Sequence, residues 1–460
     1  MLNKPVILLA VMVLMMPCSQ LLSQSPTDTL IEIKGAIQLA EQRYHLLKSV
    51  KYEADAATSH VDVVRYNWLP TIDASYQAGM GTANNLTGIF YPGNILPMTG
   101  PPSTSNDYKP VTGSAASILI NWQAASFGQK GAQTGVALAE ANTKKMQWQQ
   151  VLFQQKITVI SAYLDLLLAY DLAAIHKTNI RRVEASLYQS RVLANTGLKP
   201  GVDTALFLSE LSKANIDFLQ AQKQLQVNQL LLAQLIVTDA MPVPADSNFL
   251  TRLPATAGQN DSSLSKVPVI QLSKSEFLLS QSREQLLKKS WYPKLNVWGT
   301  GFARGSGFET TGNTKIWDGL GLSRFNYGAG LQLVFPLMKY GEIKKQLQQQ
   351  NLLSQAAAER IEENKTSLTV QQKIAATTFS NSLAVATETI QQLKSAQYAF
   401  NAMQIRYNTG LVGFSDLIQA QYNLLKAELD LKRAHWDAWK ALLLQAAVKG
   451  DEQIFLNEIR

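Results

Sequence analysis

The sequence predicts a mainly helical chain that also builds part of a membrane β-barrel, with long α-helical hairpins and four strands per chain. Three observations carry this: helical patterns too long for a globular domain, a tandem duplication, and four short alternating stretches. Between Gly341 and Gly410 lie 68 residues without a proline, enough for a continuous helix of about 100 Å. Within it Ala376, Phe379, Leu383, Ala386, Ile390, Leu393, Gln397 and Phe400 recur every three then four positions. That is a heptad seam with one polar interruption, suited to a neighbouring helix. The turn Asn408-Thr409-Gly410-Leu411 supplies residues that tolerate a left-handed helix end, and Ser415 offers an N-cap for a return helix.

The same device occurs 213 residues earlier, at Asn195-Thr196-Gly197-Leu198. That offset also maps Trp122 onto Phe335, Phe127-Gly128 onto Tyr340-Gly341, and Asp203 onto Asp416. Upstream, Trp68-Leu69-Pro70 pairs with Trp291-Tyr292-Pro293 at an offset of 223, so the first copy carries ten extra residues. The repeat is far longer than a solenoid period and reads as one structural half used twice. Residues 24–237 form the first repeat, with strands at 68–80 and 113–124 and a hairpin tip near 195–203. A linker at 238–268 leads to the second repeat, 269–450, with strands at 291–303 and 326–336 and a tip near 408–416; 451–460 is a tail.

Residues 1–23 have the make-up of a signal peptide: Lys4, an apolar run from Val6 to Met16, then Leu22-Ser23. Cys18, the one cysteine, leaves with that segment, and Pro17 in front of it fits lipidation poorly. Beyond it no stretch reaches 18 uninterrupted apolar residues, so no transmembrane helix is expected. The net charge of +8 is dispersed along helix faces, without the basic clusters of a nucleic-acid module. His45, His60, His176 and His435 are scattered, with no metal-ligand spacing, and no phosphate-binding loop opens a helix. No catalytic function, metal or cofactor is expected.

Ile31 to Arg65 reads as helix, ending where a tryptophan-proline phrase forces extended backbone. From Thr71 to Ala78 polar and apolar residues alternate, as on a strand with two unlike faces. Ala116, Ile118, Ile120 and Trp122 repeat the pattern, and so do Tyr327, Ala329, Leu331, Leu333 and Phe335. Each such strand, at about ten residues, is long enough to cross a bilayer when tilted. Four strands cannot close a barrel, and lipid tolerates no open edge, so strands must be pooled among copies; three chains give twelve. An ordinary soluble sheet packed on helices is the alternative. The proline-rich loop 81–112 and the glycine-rich loop 304–324 then face the cell exterior. Trp68, Trp122, Trp291, Tyr292 and Phe335 stand where strands meet helices, at the membrane-water interface or as plain junction core.

The duplication, the Trp-x-Pro phrases, the aromatic-glycine pairs at 127 and 340 and the two turns together resemble the TolC-like outer-membrane efflux proteins, over nearly the whole chain. The resemblance implies a homotrimer in outer-membrane lipid, its barrel continued by a twelve-helix periplasmic tunnel. It further implies a channel for tripartite efflux or type I secretion that docks a periplasmic adaptor and an inner-membrane pump through the tips. By the same resemblance Asp416 belongs to an acidic ring at the periplasmic entrance, Asp203 holds the matching first-repeat position, and Tyr407 hydrogen-bonds it in a closed tip. Asp416 reads equally well as a carboxylate complementing its helix N-terminus. Gln419 stands where a second aspartate is usual, and Val412 replaces an expected basic partner, so any lock on the tip is weaker or built differently.

Overall fold

The computed structural model describes residues 28–82, 84, 103–245, 249–255, 264–309 and 314–459. The expected signal segment with Cys18 and most of the 81–112 loop lie outside the described residues. In chain order the elements are β1 (Asp28–Ile31), α1 (Ile33–Arg43), α2 (His45–Tyr66), β2 (Thr71–Gly81), β3 (Val111–Ala125), α3 (Gln129–Asn195) and α4 (Val202–Ile236). They continue with β4 (Met241–Pro244), α5 (Pro268–Lys289), β5 (Lys294–Ser306), β6 (Arg324–Val334), α6 (Lys339–Asn408), α7 (Phe414–Lys449) and α8 (Gln453–Leu456). They fall into two compact units, each drawing on both halves of the sequence. One comprises Met1–His45, Phe153–Asn260 and Gln372–Arg460, the other Leu46–Leu152 and Asp261–Gln371.

The second unit holds the antiparallel sheet β2-β3-β5-β6. Its helices meet through polar side chains as much as apolar ones. Ser280 and Ser354 share a 2.9 Å hydrogen bond, Gln350 donates to the Ser280 carbonyl, and Arg283 and Lys144 reach Glu140 and Glu53.

The first unit is organised around the apolar middle of α3. Val159, Ile160, Tyr163, Leu164, Leu166 and Leu167 are buried against α1, α7 and α8, where Trp439, Leu442 and Phe455 complete the core. The polar ends of the large rings are satisfied: Tyr163 Oη donates to the Ile31 carbonyl and Trp439 Nε1 to that of Arg252, both at 3.0 Å. Among the described residues α3 is the one helix that by length and composition qualifies as a membrane span. Its buried residues form this core, which accounts for the apolar stretch.

Three expectations need correction. First, the Ile31–Arg65 helix is two helices, because Tyr44 adopts extended backbone with ψ of 119° between α1 and α2. Second, β1 and β4 form a small parallel ladder that the polar and proline-rich contexts hide. In a parallel strand successive residues address opposite edges, so Pro242 and Pro244 lose no bond to β1, while Ala245 N donates to the Ile31 carbonyl. Third, one of the two rows of the α6 seam lies a residue earlier than expected. Ala375 and Thr389 are buried, while Ala376, Ile390 and Gln397 are exposed. The other row, Phe379, Ala386 and Phe400, is buried as the pattern requires. Thr389 can be buried despite its hydroxyl because that hydroxyl donates to the Ala386 carbonyl at 2.8 Å.

His435 lies in the first unit with 3% of its surface exposed. Burial pushes its imidazole below the ordinary value of 6.5, and the Lys432 charge acts the same way. The neutral form is therefore the folded form. As pH falls through about 6.5 the unfolded chain takes up a proton that folded His435 resists, so stability declines from that point downward. Thermal melts between pH 7.5 and 5.5 should show a steeper fall for the wild type than for His435→Leu. Parallel curves would remove His435 from the acid sensitivity.

Candidate functional site

The two unlike faces of the strands become two unlike faces of one sheet. Register places Ile72, Ile120, Gly299 and Ala329 in one cross-strand row, and Tyr76, Ala116, Ala303 and Phe325 in another. Rows of this parity also carry Trp122, Val297 and Leu331 and contain no charged residue. The alternate rows carry the charged and amide residues, Asp73, Gln77, Asn121, Asn296, Arg304 and Gln332, with Ser75, and among them Leu119, Trp298 and Phe302. There Ser75 and Ser117 share a 2.8 Å hydrogen bond. Away from the loop end, where Ala303, Ser114 and Thr112 are buried, the apolar face is bare in this chain: Ile72 is 68% exposed, Tyr327 95% and Leu331 73%. Among the described residues β2 and β6 are paired on one side only. A sheet with an unoccupied apolar face and two open edges is unstable in water by itself.

At the far end of the sheet residues 307–309 and 314–321 lie against β3. Gly307 N donates to the Thr112 carbonyl at 2.9 Å, and Thr112 N to that of Ile316 at 3.3 Å. A Cβ on Gly319 would sit 1.8 Å from the Thr112 carbonyl oxygen, so only glycine fits there. At the helix end stand the predicted interface aromatics. Trp122 Nε1 donates to the Trp68 carbonyl at 3.0 Å, and the Trp291 and Tyr292 rings meet edge to face at 5.2 Å. Trp122, Trp291 and Phe335 are 41%, 48% and 56% exposed.

The two helical turns have one construction. Gly197 and Gly410 adopt φ of 73° and 80°, the left-handed region that favours glycine. Leu198 N donates to the Leu193 carbonyl and Gly197 N to that of Ala194; Leu411 and Gly410 repeat this with Arg406 and Tyr407. Thr196 and Thr409 return their hydroxyls to carbonyls of the preceding turn. The repeated Asn-Thr-Gly-Leu phrase is thus a complete helix stop, and Leu198 and Leu411 are left more than 70% exposed.

Beneath the turns Phe207 is fully buried, edge-on to Tyr407 and Phe414, among Leu187, Phe400, Leu417 and Leu424. Tyr407 Oη donates to Asp203 Oδ2 at 3.1 Å, in a buried contact. Burial, followed by the Asp203 charge, pushes the Tyr407 phenol up, so it stays a protonated donor. Asp416 is exposed, and its Oδ2 accepts the Gly413 N–H at 3.2 Å. Gly413, not Ser415, is the N-cap of α7, because Asp416 one turn on captures the free N–H from the third helical position.

One residue of the tip was missed. Lys199 Nζ donates to the Val412 carbonyl at 2.7 Å and lies 5.0 Å from the centre of the Tyr407 ring. Lys199 and Val412 occupy equivalent positions of the two repeats, 213 residues apart. The duplication itself was the available signal: the basic residue absent from the second tip stands at the matching site of the first. Among the described residues no cluster of three potential metal ligands occurs.

An apolar-faced antiparallel sheet with open edges, on a chain of long helical hairpins, defines a membrane-inserted strand-and-helix protein. The family description "Outer membrane efflux protein" matches residues 36–237 and 270–443. The chain belongs to that family: it is an outer-membrane efflux protein, and the family is one of channels, not enzymes. No curated protein matches it in sequence. Among solved structures it is similar to the Campylobacter jejuni CmeC outer membrane channel, at 13% identity and a TM-score of 0.73 over 94% of this chain and 90% of that one. It is also similar to VceC of Vibrio cholerae, at 14% identity and a TM-score of 0.70 over 91% and 96%. The open state of the Neisseria gonorrhoeae MtrE outer membrane channel gives 16% and 0.70 over 91% and 89%.

Tyr407→Phe should leave the Asp203 carboxylate buried without its phenol donor, at a cost of about 1–3 kcal/mol. Lys199→Met should loosen the same tip through a different contact. Amide exchange at residues 195–203 and 408–416 should accelerate in both variants, with the rest of the chain unchanged. Unaltered tip exchange in either would deny that contact a locking role.

Proposed function

We propose that the chain works as a homotrimer, three four-stranded sheets closing a twelve-stranded barrel that opens into a helical tunnel. The observation that carries this reading is the sheet: apolar on one exposed face, polar on the other, and open at both edges. In a bilayer every backbone N–H and carbonyl needs a partner, and the β6 edge of one copy meeting the β2 edge of the next supplies them around a closed ring. The apolar rows then meet lipid and the polar rows line the channel. Trp68, Trp122, Trp291, Tyr292 and Phe335 mark the interface where strands give way to helices. The proposed layout keeps the signal at 1–23, repeats at 24–237 and 269–450, the linker at 238–268 and the tail at 451–460.

In this reading the channel serves a tripartite efflux or type I secretion assembly, receiving substrates from an inner-membrane pump through a periplasmic adaptor. The tips at 195–198 and 408–411 are the docking points, supported by the exposed leucines at both turns. Asp203 and Tyr407 hold the tip, while Asp416 is the exposed carboxylate available to an acidic ring.

Mass measurement in detergent should give three chains, and a stable membrane-inserted monomer would refute the closure argument. Asp416→Ala separates gate from cap. Three carboxylates at a narrow entrance focus negative potential, so their loss should lower cation preference in planar bilayers. A mere helix-end charge would cost about 0.3–1 kcal/mol of local stability and leave selectivity untouched. Tags in loops 81–112 and 304–324 should be labelled on intact cells; labelling only after outer-membrane disruption would reverse the topology.

A further inference from the structure

The four places where strands join helices share a composition that the channel reading does not use. Segments 65–70, 126–131, 288–294 and 335–341 contain Arg65, Lys130, Lys288, Lys289, Lys294 and Lys339 but no aspartate or glutamate. The whole chain has 34 acidic against 42 basic residues, so the excess is local. Three of these cations have other business. Arg65 pairs with Asp62, Lys288 with Glu284, and Lys294 shares the polar face of the sheet. Lys130, Lys289 and Lys339 remain, and among the described residues none of them has a carboxylate within 4.0 Å.

What holds two of these cations is aromatic. Lys130 Nζ lies 5.7 Å from the Trp68 ring centre and 3.5 Å from the Trp68 carbonyl, the same oxygen that accepts Trp122 Nε1. Lys289 Nζ lies 4.7 Å from the Tyr292 ring, and its side chain passes the Gly128 turn. Tyr292 meets Trp291, which meets Tyr340 at 6.3 Å. The contacts thus run through the junctions of all four strands. Lys130 gives one N–H to the Trp68 carbonyl and Lys289 one to Tyr292 Oη at 3.3 Å, and since a ring face takes no N–H outright, two donors on each ammonium group remain for an anion.

We propose that the helix end of the sheet binds the phosphate groups of anionic phospholipids, with Lys130, Lys289 and Lys339 as the phosphate-contacting cations. A phospholipid, not free phosphate, is the fitting ligand. Beside the lysines, Phe335, Leu337 and Met338 are 56%, 81% and 97% exposed, apolar surface that acyl chains cover and an inorganic ion does not. Among the described residues the opposite end differs: its Lys315 is paired with Glu309 at 2.8 Å and approaches Asp318, and its Arg304 and Arg324 stand opposite each other on the polar face of the sheet. The inference rests on the sheet lying in a bilayer and adds a preference for one lipid charge at one end.

The test uses the full chain purified in non-ionic detergent, offered equal amounts of phosphatidylglycerol and phosphatidylcholine with identical acyl chains. Native mass spectrometry counts the lipids retained. The wild type should retain phosphatidylglycerol preferentially. Each lysine-to-glutamine change among Lys130, Lys289 and Lys339 should reduce that preference about fivefold, equivalent to about 1 kcal/mol per cation near an anionic surface. Lys315→Gln should leave it unchanged, and millimolar inorganic phosphate should not displace the lipid. The wild-type preference should also fade as salt rises from 50 to 500 mM, a measurement that needs no variant. Equal retention of both lipids by the wild type, or an undiminished preference in the triple variant, overturns the proposal. Displacement by inorganic phosphate overturns the choice of lipid as ligand. Single-channel conductance of the same preparations is the separate arm: intact conductance without lipid preference rejects this inference alone, whereas failure of the wild type to conduct rejects the channel reading.

Discussion

Everything in the sheet follows from backbone groups that have no partner within one chain. β2 and β6 each present one edge of N–H and carbonyl groups to the outside. In water such an edge is tolerable, but the adjoining apolar face is not; in lipid the face is welcome and the edge is not. Only an arrangement that closes the edges while keeping the face in lipid satisfies both. The alternation of polar and apolar residues, kept in register across four strands by rows such as Ile72, Ile120, Gly299 and Ala329, is what makes that arrangement possible. A one-residue slip between any two strands would interrupt every apolar row.

The duplication has a second consequence at the tips. Two copies of one turn, built alike to the level of the threonine hydroxyl and glycine φ, have diverged just where they touch. The first copy keeps Lys199 and the second keeps a bare carbonyl at Val412, and the two meet at 2.7 Å. Asp203 and Asp416 have parted in the same way. One carboxylate is buried under Tyr407, and the other is exposed and caps α7. Equivalent residues in a repeat therefore do not predict equivalent roles; the contact between the copies breaks the symmetry.

Much of this was legible in the sequence because it depends on local periodicity. The strand alternation and the helix stops need only near neighbours, the duplication is a match of one local pattern with another, and the family resemblance rests on them. What was not legible depends on partners remote in sequence. The β1–β4 ladder joins four-residue strands more than 200 residues apart, and neither strand has a pattern of its own. The row of α6 that holds Ala375 and Thr389 is not phased by hydrophobicity, which favours Ile390 over Thr389 and does not separate Ala375 from Ala376; the neighbouring helices decide which row is covered. Lys199 looked like an ordinary turn lysine until the opposite turn was in place.

The tip contacts also set an energy scale. A hydrogen bond from a phenol to a buried carboxylate is worth about 1.5–3 kcal/mol, and a lysine to an accessible carbonyl contributes less. The aromatic cluster around Phe207 adds packing that can survive a small displacement, while the Tyr407–Asp203 and Lys199–Val412 contacts cannot, because hydrogen bonds weaken steeply with geometry. The polar contacts are thus the part of the tip that distinguishes one arrangement from another. A difference of a few kcal/mol per chain is the size expected of a two-state element rather than of a permanent structure. A partner that bound the alternative arrangement more tightly by a similar amount would shift the population, and one that bound both equally would shift nothing. On the proposed reading, an adaptor would shift the tip only by binding a rearranged tip more tightly, and Leu198 and Leu411, exposed beside the Lys199–Val412 contact, are the apolar surface it would meet.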